Sequence, residues 1–191
     1  MSSGKPGERK LQILQALAQM LEQPHGEKIT TAALARHLSL SEAALYRHFA
    51  SKAQMFEGLI EFIETSVFGL INQIAAQEES GFSQVQAMIM MLLNFAERNP
   101  GMTRVLTGDA LAGEDGRLQL RMNQFYDRVE MAFRHSLRVA ATQGQGREDD
   151  AGVRAGILMA FVAGRWQRYA KTGFAVSLTQ DMPQQIRLLL M

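Results

Sequence analysis

In the stretch TTAALARHLSLSEAALYRHFASK, residues 30–52, Tyr46, Arg47, His48 and Lys52 place a phenol, a guanidinium, an imidazole and an ammonium within seven residues. Donors of these types suit phosphate oxygens and exposed base edges of a DNA duplex. Arg47 can donate in pairs to guanine or to phosphate, while Tyr46, His48 and Lys52 suit phosphate. Just ahead of them, Ala43 and Ala44 are small enough to let a helix backbone approach bases closely. Thr30, Thr31 and Ser41 are placed to open helices, whose free amide groups can face phosphate oxygens. The competing reading is an ordinary helical hairpin with a solvated basic face.

Two short helices must position these side chains. The first, capped by Thr30 or Thr31, carries Leu34, Ala35 and Leu38; the second, capped by Ser41, runs to about Phe49. Leu34, Leu38, Leu40, Leu45 and Phe49 supply inner contacts and Ala35 the close crossing, as a helix-turn-helix demands. Ala43, Ala44, Arg47 and His48 then face outward. Ser39 occupies the turn position where a left-handed residue is needed and glycine is usual, at a cost of roughly 1 kcal/mol.

The rest of the 191-residue chain reads as helix throughout. Leu11, Leu14, Leu17, Ala18 and Leu21 repeat at helical spacing, and Pro24-His25-Gly26 ends that helix. Ser51 with Gln54 forms a capping box for a long fourth helix, striped by Phe56, Leu59, Ile60, Ile63, Val67, Leu70, Ile71 and Ile74. Ser83 with Gln86 is expected to cap a fifth, apolar on nearly every side across residues 87–96 and therefore central, and Asn99-Pro100-Gly101 stops it. A short helix to about Leu111, a loop at 113–116, long helices over 117–141 and 150–171 and a last one over about 180–190 complete an all-α fold of about nine helices.

Composition narrows the function classes. Apolar residues make up 47% and charged residues 20%, enough for a sizeable core, and the chain has no cysteine for disulfides or thiolate metal sites. The first ten residues are polar, unlike a signal peptide, and no uncharged apolar run reaches about 18 residues, so no membrane span is expected. Net charge is only +1, but residues 1–56 carry +3 and the remainder −2, a basic head on a mildly acidic body. Enzyme signatures are missing: no Gly-Lys-Ser/Thr phosphate loop, no cysteine nucleophile, no His-Glu-x-x-His pair. The four histidines (25, 37, 48, 135) are scattered, and the run Glu148-Asp149-Asp150 reads as a solvated helix start. Neither catalytic residues, metal nor cofactor are expected.

Two further patterns concern partners. Gly152, Gly156, Ala160 and Gly164 recur every four residues and line one stripe of the helix at 150–171. Such a stripe admits a second helix closely, either a second copy of the chain or the protein's own core. Twelve methionines and ten phenylalanines could line a ligand cavity, but Met88, Met90 and Met91 read first as core packing, and no convergent polar set marks a pocket.

The segment SEAALYRHFASK resembles the DNA-binding signature of TetR-family regulators, in which a Leu-Tyr-x-His-Phe run precedes a Lys opening helix four. The likeness covers about residues 8–60. SEAALYRHF, LIEFIE, FAERNPGMTRVLTGDAL and RLQLRMNQ, spread across residues 41–124, are similar to the nucleoid occlusion branch of that family. The resemblance implies a helix-turn-helix DNA-binding domain at 1–50 and a helical regulatory and dimerisation domain at 51–191. It further implies a cytoplasmic, nucleoid-associated homodimer, with higher-order assembly on double-stranded DNA left open, that antagonises the tubulin-like division GTPase FtsZ. Arg98 and Asn99, flanked by Met91 and Asn94, are carried over as the site for that GTPase's flexible tail, with Leu70 opposite where a basic residue is usual. A ligand-responsive transcriptional repressor is the alternative the family offers.

Overall fold

The computed structural model describes residues 6–23 and 29–190, and the Pro24-His25-Gly26 signal lies outside them. Among the described residues there are nine α-helices and two 3-10 turns, and no strand. The head comprises α1 (Pro6–Leu21), α2 (Thr31–His37) and α3 (Glu42–Tyr46); the body comprises α4 (Lys52–Gln77), α5 (Gly81–Arg98), α6 (Pro100–Leu106), α7 (Gly116–Thr142), α8 (Ala151–Lys171) and α9 (Met182–Leu190).

Capping chemistry sets most of these boundaries. The Thr30, Ser41 and Ser51 side chains accept from the amides of Ala33, Ala44 and Gln54, so Thr30, not Thr31, opens α2. Gln54 reaches back past Ser51 to accept the Ala50 amide at 2.8 Å, one residue beyond the usual box partner. The fifth helix starts three residues earlier than Ser83 suggests: Ser80 accepts from the Ser83 amide, and Ser83 is the donor, not the cap. After α5, Pro100 opens α6 at its first position, where its missing N–H costs nothing. α3 is shorter than its sequence pattern, ending at Tyr46, with a looser turn carrying the His48 and Phe49 amides back to the Leu45 carbonyl.

α5 touches α4, α6, α7, α8 and α9, the central place its sequence implies. Met88, Ile89, Leu92, Leu93 and Ala96 are buried, while Met90, Met91, Asn94 and Phe95 are half-buried. Phe68, Phe125, Tyr126 and Trp166 form an aromatic chain through the body, and Tyr126 stacks on Trp166 at 6.1 Å. The Tyr126 hydroxyl donates to the Leu106 carbonyl. Burial pushes its pKa up to about 12, with Asp109 adding to the rise.

Two helix crossings leave no room for a side chain. A Cβ on Gly101 would lie 1.9 Å from the Ala18 carbonyl oxygen of α1, and one on Gly81 2.2 Å from the Ala140 nitrogen of α7. The first crossing docks the head on the body. Within the body, a row of ion pairs ties α4 to α7 and the loop before it: Lys52 with Glu114, Glu57 with Arg117 at 2.9 Å and Glu64 with Arg121 at 2.7 Å. The Arg121 pKa is raised, chiefly by its hydrogen bond to Glu64.

By length and composition α4 alone among the described helices is apolar enough to cross a membrane. Its apolar stripe is the wall of a protein core instead: Phe56, Leu59, Ile60, Ile63, Val67 and Ile71 are buried against neighbouring helices. Leu70 departs from that stripe and is exposed, at 39%.

Candidate nucleic-acid interface

Ser39 has φ 54°, the left-handed conformation its position in the turn requires, and the Leu40 amide closes the turn on the Ala35 carbonyl at 2.8 Å. Leu34, Ala35, Leu45 and Phe49 are buried beneath it, with Leu38 and Leu40 half-buried. This packing turns Ala43, Tyr46 and Arg47 to solvent, with Ala44 and His48 half-exposed on the same side. Arg47 ends α3 and has no side-chain partner among the described residues. Tyr46 is 45% exposed, and its hydroxyl donates to Thr31 Oγ1 at 3.4 Å, which donates in turn to Glu42 Oε2 at 2.7 Å. Glu42 was not singled out from sequence; its signal is its place four residues before Tyr46, one helical turn away.

Thr30 and Ser41 spend their hydroxyls on their own helix ends. Lys52, opening α4, is turned toward the body: its ammonium pairs with Glu114 and lies 5.6 Å from the Phe56 ring centre. The exposed head therefore offers Arg47 as a free cation and Tyr46 as a tethered donor, over a helix whose first turn carries only alanine side chains after Glu42.

A second surface lies where the head meets the body. Arg98 is exposed in the last turn of α5 with no side-chain partner among the described residues. Asn99 is half-buried and committed locally, donating from Nδ2 to the Phe95 carbonyl at 2.7 Å. Beside it opens a largely apolar cleft of about 340 Å³, lined by Leu11, Leu14, Gln15, Leu59, Phe62, Asn99 and Met102. Phe62 (43% exposed) is a member the sequence pattern left aside, an apolar residue on the solvent side of its helix, while Leu11, which its spacing places in the α1 stripe, is 44% exposed. Met91 and Asn94 lie one to two turns before Arg98, half-buried.

The small-residue stripe on α8 divides. Gly152 and Gly156 face the protein's own α7, where an added Cβ would lie 3.7 Å from Arg134 Nε and 4.0 Å from the Glu130 carboxylate, whereas Ala160 is exposed and Gly164 opens on empty space. At the same helical spacing on α8, Val153 (70% exposed) and Ile157 (53%) are uncovered apolar residues, and Met131 on the neighbouring α7 is exposed as well (56%). None of the clefts described here is lined by Met88, Phe125 or Phe133, which pack the core. No group of three metal-ligating side chains is assembled among the described residues.

A three-helix head with an outward-facing third helix, carried on a helical body, defines a TetR-type DNA-binding regulator. Residues 13–59 match the model of bacterial regulatory proteins of the tetR family, and residues 79–191 match that of the SlmA-like, tetracyclin repressor-like C-terminal domain. The chain belongs to the family of the nucleoid occlusion factor SlmA. It is 48% identical to that factor from a Marinomonas species, over 96% of this chain and 93% of the relative. With the factor from Photobacterium profundum it shares 46% identity over 99% and 97% of the two chains. The fold is also that of the fatty acid degradation regulator FadR from Bacillus halodurans, with a TM-score of 0.79 at 13% identity, over 100% of this chain and 97% of that one.

Proposed function

We propose that this protein is a non-enzymatic nucleoid occlusion factor, with residues 1–50 as the DNA-reading head and 51–191 as the regulatory and dimerising body. It binds chromosomal sites in the cytoplasm as a homodimer and antagonises assembly of the division GTPase FtsZ over the nucleoid. The observation that carries this reading is the 46–48% identity to nucleoid occlusion factors sustained over nearly the whole chain, because the bodies of TetR-type regulators ordinarily diverge.

In mechanism, Arg47 reads a base edge or clamps a phosphate, while Thr31 and Glu42 hold the Tyr46 hydroxyl at the rim of α3. Two heads reach half-sites one helical turn apart only if the protein is a two-fold dimer. The strip of Val153, Ile157, Ala160, Gly164 and Met131 is apolar and uncovered, and it is the surface we assign to that dimer. At the other surface, a flexible tail with apolar anchors and a carboxylate fits the apolar cleft beside Asn99 and the unpaired guanidinium of Arg98.

The deciding experiment measures both activities in two variants. Arg98→Ala should weaken binding of a labelled FtsZ tail peptide by about 1.5–3 kcal/mol and leave operator affinity unchanged. Arg47→Ala should do the reverse, losing roughly 1–3 kcal/mol of operator affinity. Equal tail affinity in parent and Arg98→Ala, read by fluorescence anisotropy, removes the tail from this cleft. Chromosome-wide occupancy confined to promoters would favour a transcriptional repressor instead.

A further inference from the structure

The last two turns of α8, the loop that follows and the start of α9 enclose a cleft of about 420 Å³, within the range of small-molecule sites. Its polar lining is Arg165, Arg168, Ser177, Gln180, Asp181 and Gln185. The loop is firmly placed. Leu178 is buried and donates its amide to Glu97 Oε1 at 2.9 Å, and Phe174 packs on Tyr169 at 5.1 Å. Arg165 holds it from inside, donating one Nη2 to the carbonyls of Ser177 (3.1 Å) and Leu178 (2.7 Å).

That bracing leaves Nε and Nη1 of Arg165 without partners among the described residues, and Arg168, exposed, has none either. Two guanidinium groups thus share one cleft. Burial and the nearby Arg168 charge both lower the Arg165 pKa, against the smaller opposing pull of Glu97 and Asp181. Glu97 and Asp181 offset part of that repulsion, and a bound phosphate would offset the rest. Two of the three non-glycine residues with positive φ among those described, Phe174 (67°) and Asp181 (56°), bracket the same loop, a strain the surrounding structure sustains.

We infer that this cleft is a binding site for a phosphate monoester that carries hydroxyl groups, with the phosphate on Arg165 and Arg168 and the hydroxyls on Asp181, Gln180 and Gln185. A guanidinium pair matches phosphate oxygens in geometry and charge. The Asp181 carboxylate disfavours a bare dianion but accepts from hydroxyls, and the volume exceeds what inorganic phosphate fills. The site is separate from the head and from the cleft at Asn99, yet it reaches α5 through Glu97, one residue before Arg98.

Calorimetric titration of the full chain at low ionic strength, with ribose 5-phosphate, inorganic phosphate and ribose as probes, tests it. Ribose 5-phosphate should bind once per chain, inorganic phosphate more weakly, and ribose not at all. Arg168→Glu and, from across the cleft on α9, Gln185→Glu should each weaken the sugar phosphate about tenfold or more, with unchanged circular dichroism. Arg47→Ala should bind it like the parent. Absent heat with ribose 5-phosphate, parent-like affinity in both cleft variants, or loss of binding in Arg47→Ala would each overturn the assignment.

Discussion

Replacing Gly101 by alanine tests how the head is docked. The added Cβ would stand 1.9 Å from the Ala18 carbonyl oxygen, 2.9 Å from the Ala18 carbonyl carbon and 3.2 Å from Leu21 Cβ. Ordinary contact begins at 3.4 Å, so α1 and α6 must separate by about 1.5 Å, and both offending Ala18 atoms are backbone. Overpacking a core commonly costs about 1–3 kcal/mol when side chains can yield. Here a helix must move, so about 3 kcal/mol or more is expected, a large share of the roughly 5–15 kcal/mol that holds a domain folded. Gly69, exposed in mid-α4 with nothing within 4 Å of its Cβ position, gives the opposite sign: Gly69→Ala should stabilise by about 0.5–1 kcal/mol. Urea denaturation at one fixed protein concentration reads both, with Gly101→Ala lowering the midpoint by about 1 M or more. If Gly101→Ala stayed within about 1 kcal/mol of the parent, the close crossing of α1 and α6 would be wrong.

Three further outcomes follow from particular residues. Ser39→Gly should relieve about 1 kcal/mol of left-handed strain, partly offset by glycine's unfolded-state entropy, while Ser39→Val should melt earlier than the parent; the order Gly, Ser, Val in thermal midpoint is the check. Tyr126 has a folded pKa of about 12 against about 10 unfolded, so the stability it contributes is whole below about pH 10 and lost as pH rises toward 12, by about 2–3 kcal/mol at most. Melts at alkaline pH should fall less steeply in Tyr126→Phe. Ile157→Asp places a charge in the uncovered strip of α8 and should yield monomers in sedimentation, with an undisturbed dimer placing the interface elsewhere.

Local rules made much of the fold legible. Hydrophobic spacing located the helices and hydroxyl caps opened α2, α3, α4 and α5, although the short helix expected to about Leu111 stops at Leu106, where left-handed Gly108 breaks it before a 3-10 turn; the turn chemistry at Ser39 implied its positive φ from sequence alone. Where the reading slipped, two local signals competed. Ser83 suits a cap by local pattern, but the contacts that place the cap at Ser80 are long-range: Gly81 crosses α7 closely, Gln143 accepts the Gly81 amide at 2.9 Å and Gln145 accepts the Ser80 hydroxyl at 2.9 Å. Leu70 fits the α4 stripe by spacing, but the helix turns it just beyond its neighbours' reach. Lys52 reads as a phosphate ligand because nothing in sequence announces Glu114, 62 residues away. Likewise the polar cleft at α8 and α9 was invisible, since Arg165 and Asp181 meet only through the path of a loop.

Trp166 is the single tryptophan, sealed in the body with its indole N–H turned toward the Leu92 carbonyl and its ring stacked on Tyr126. Tyr169 lies three residues along the same helix. Tyr126, 6.1 Å away, is placed to pass absorbed light to that buried acceptor, and the tyrosine outside the body, Tyr46, sits on the exposed rim of α3. The chain thus carries a tryptophan signal that belongs to the body and one tyrosine, Tyr46, that belongs to the head. Titrating either surface while recording both colours would tell which half responds, with no label attached.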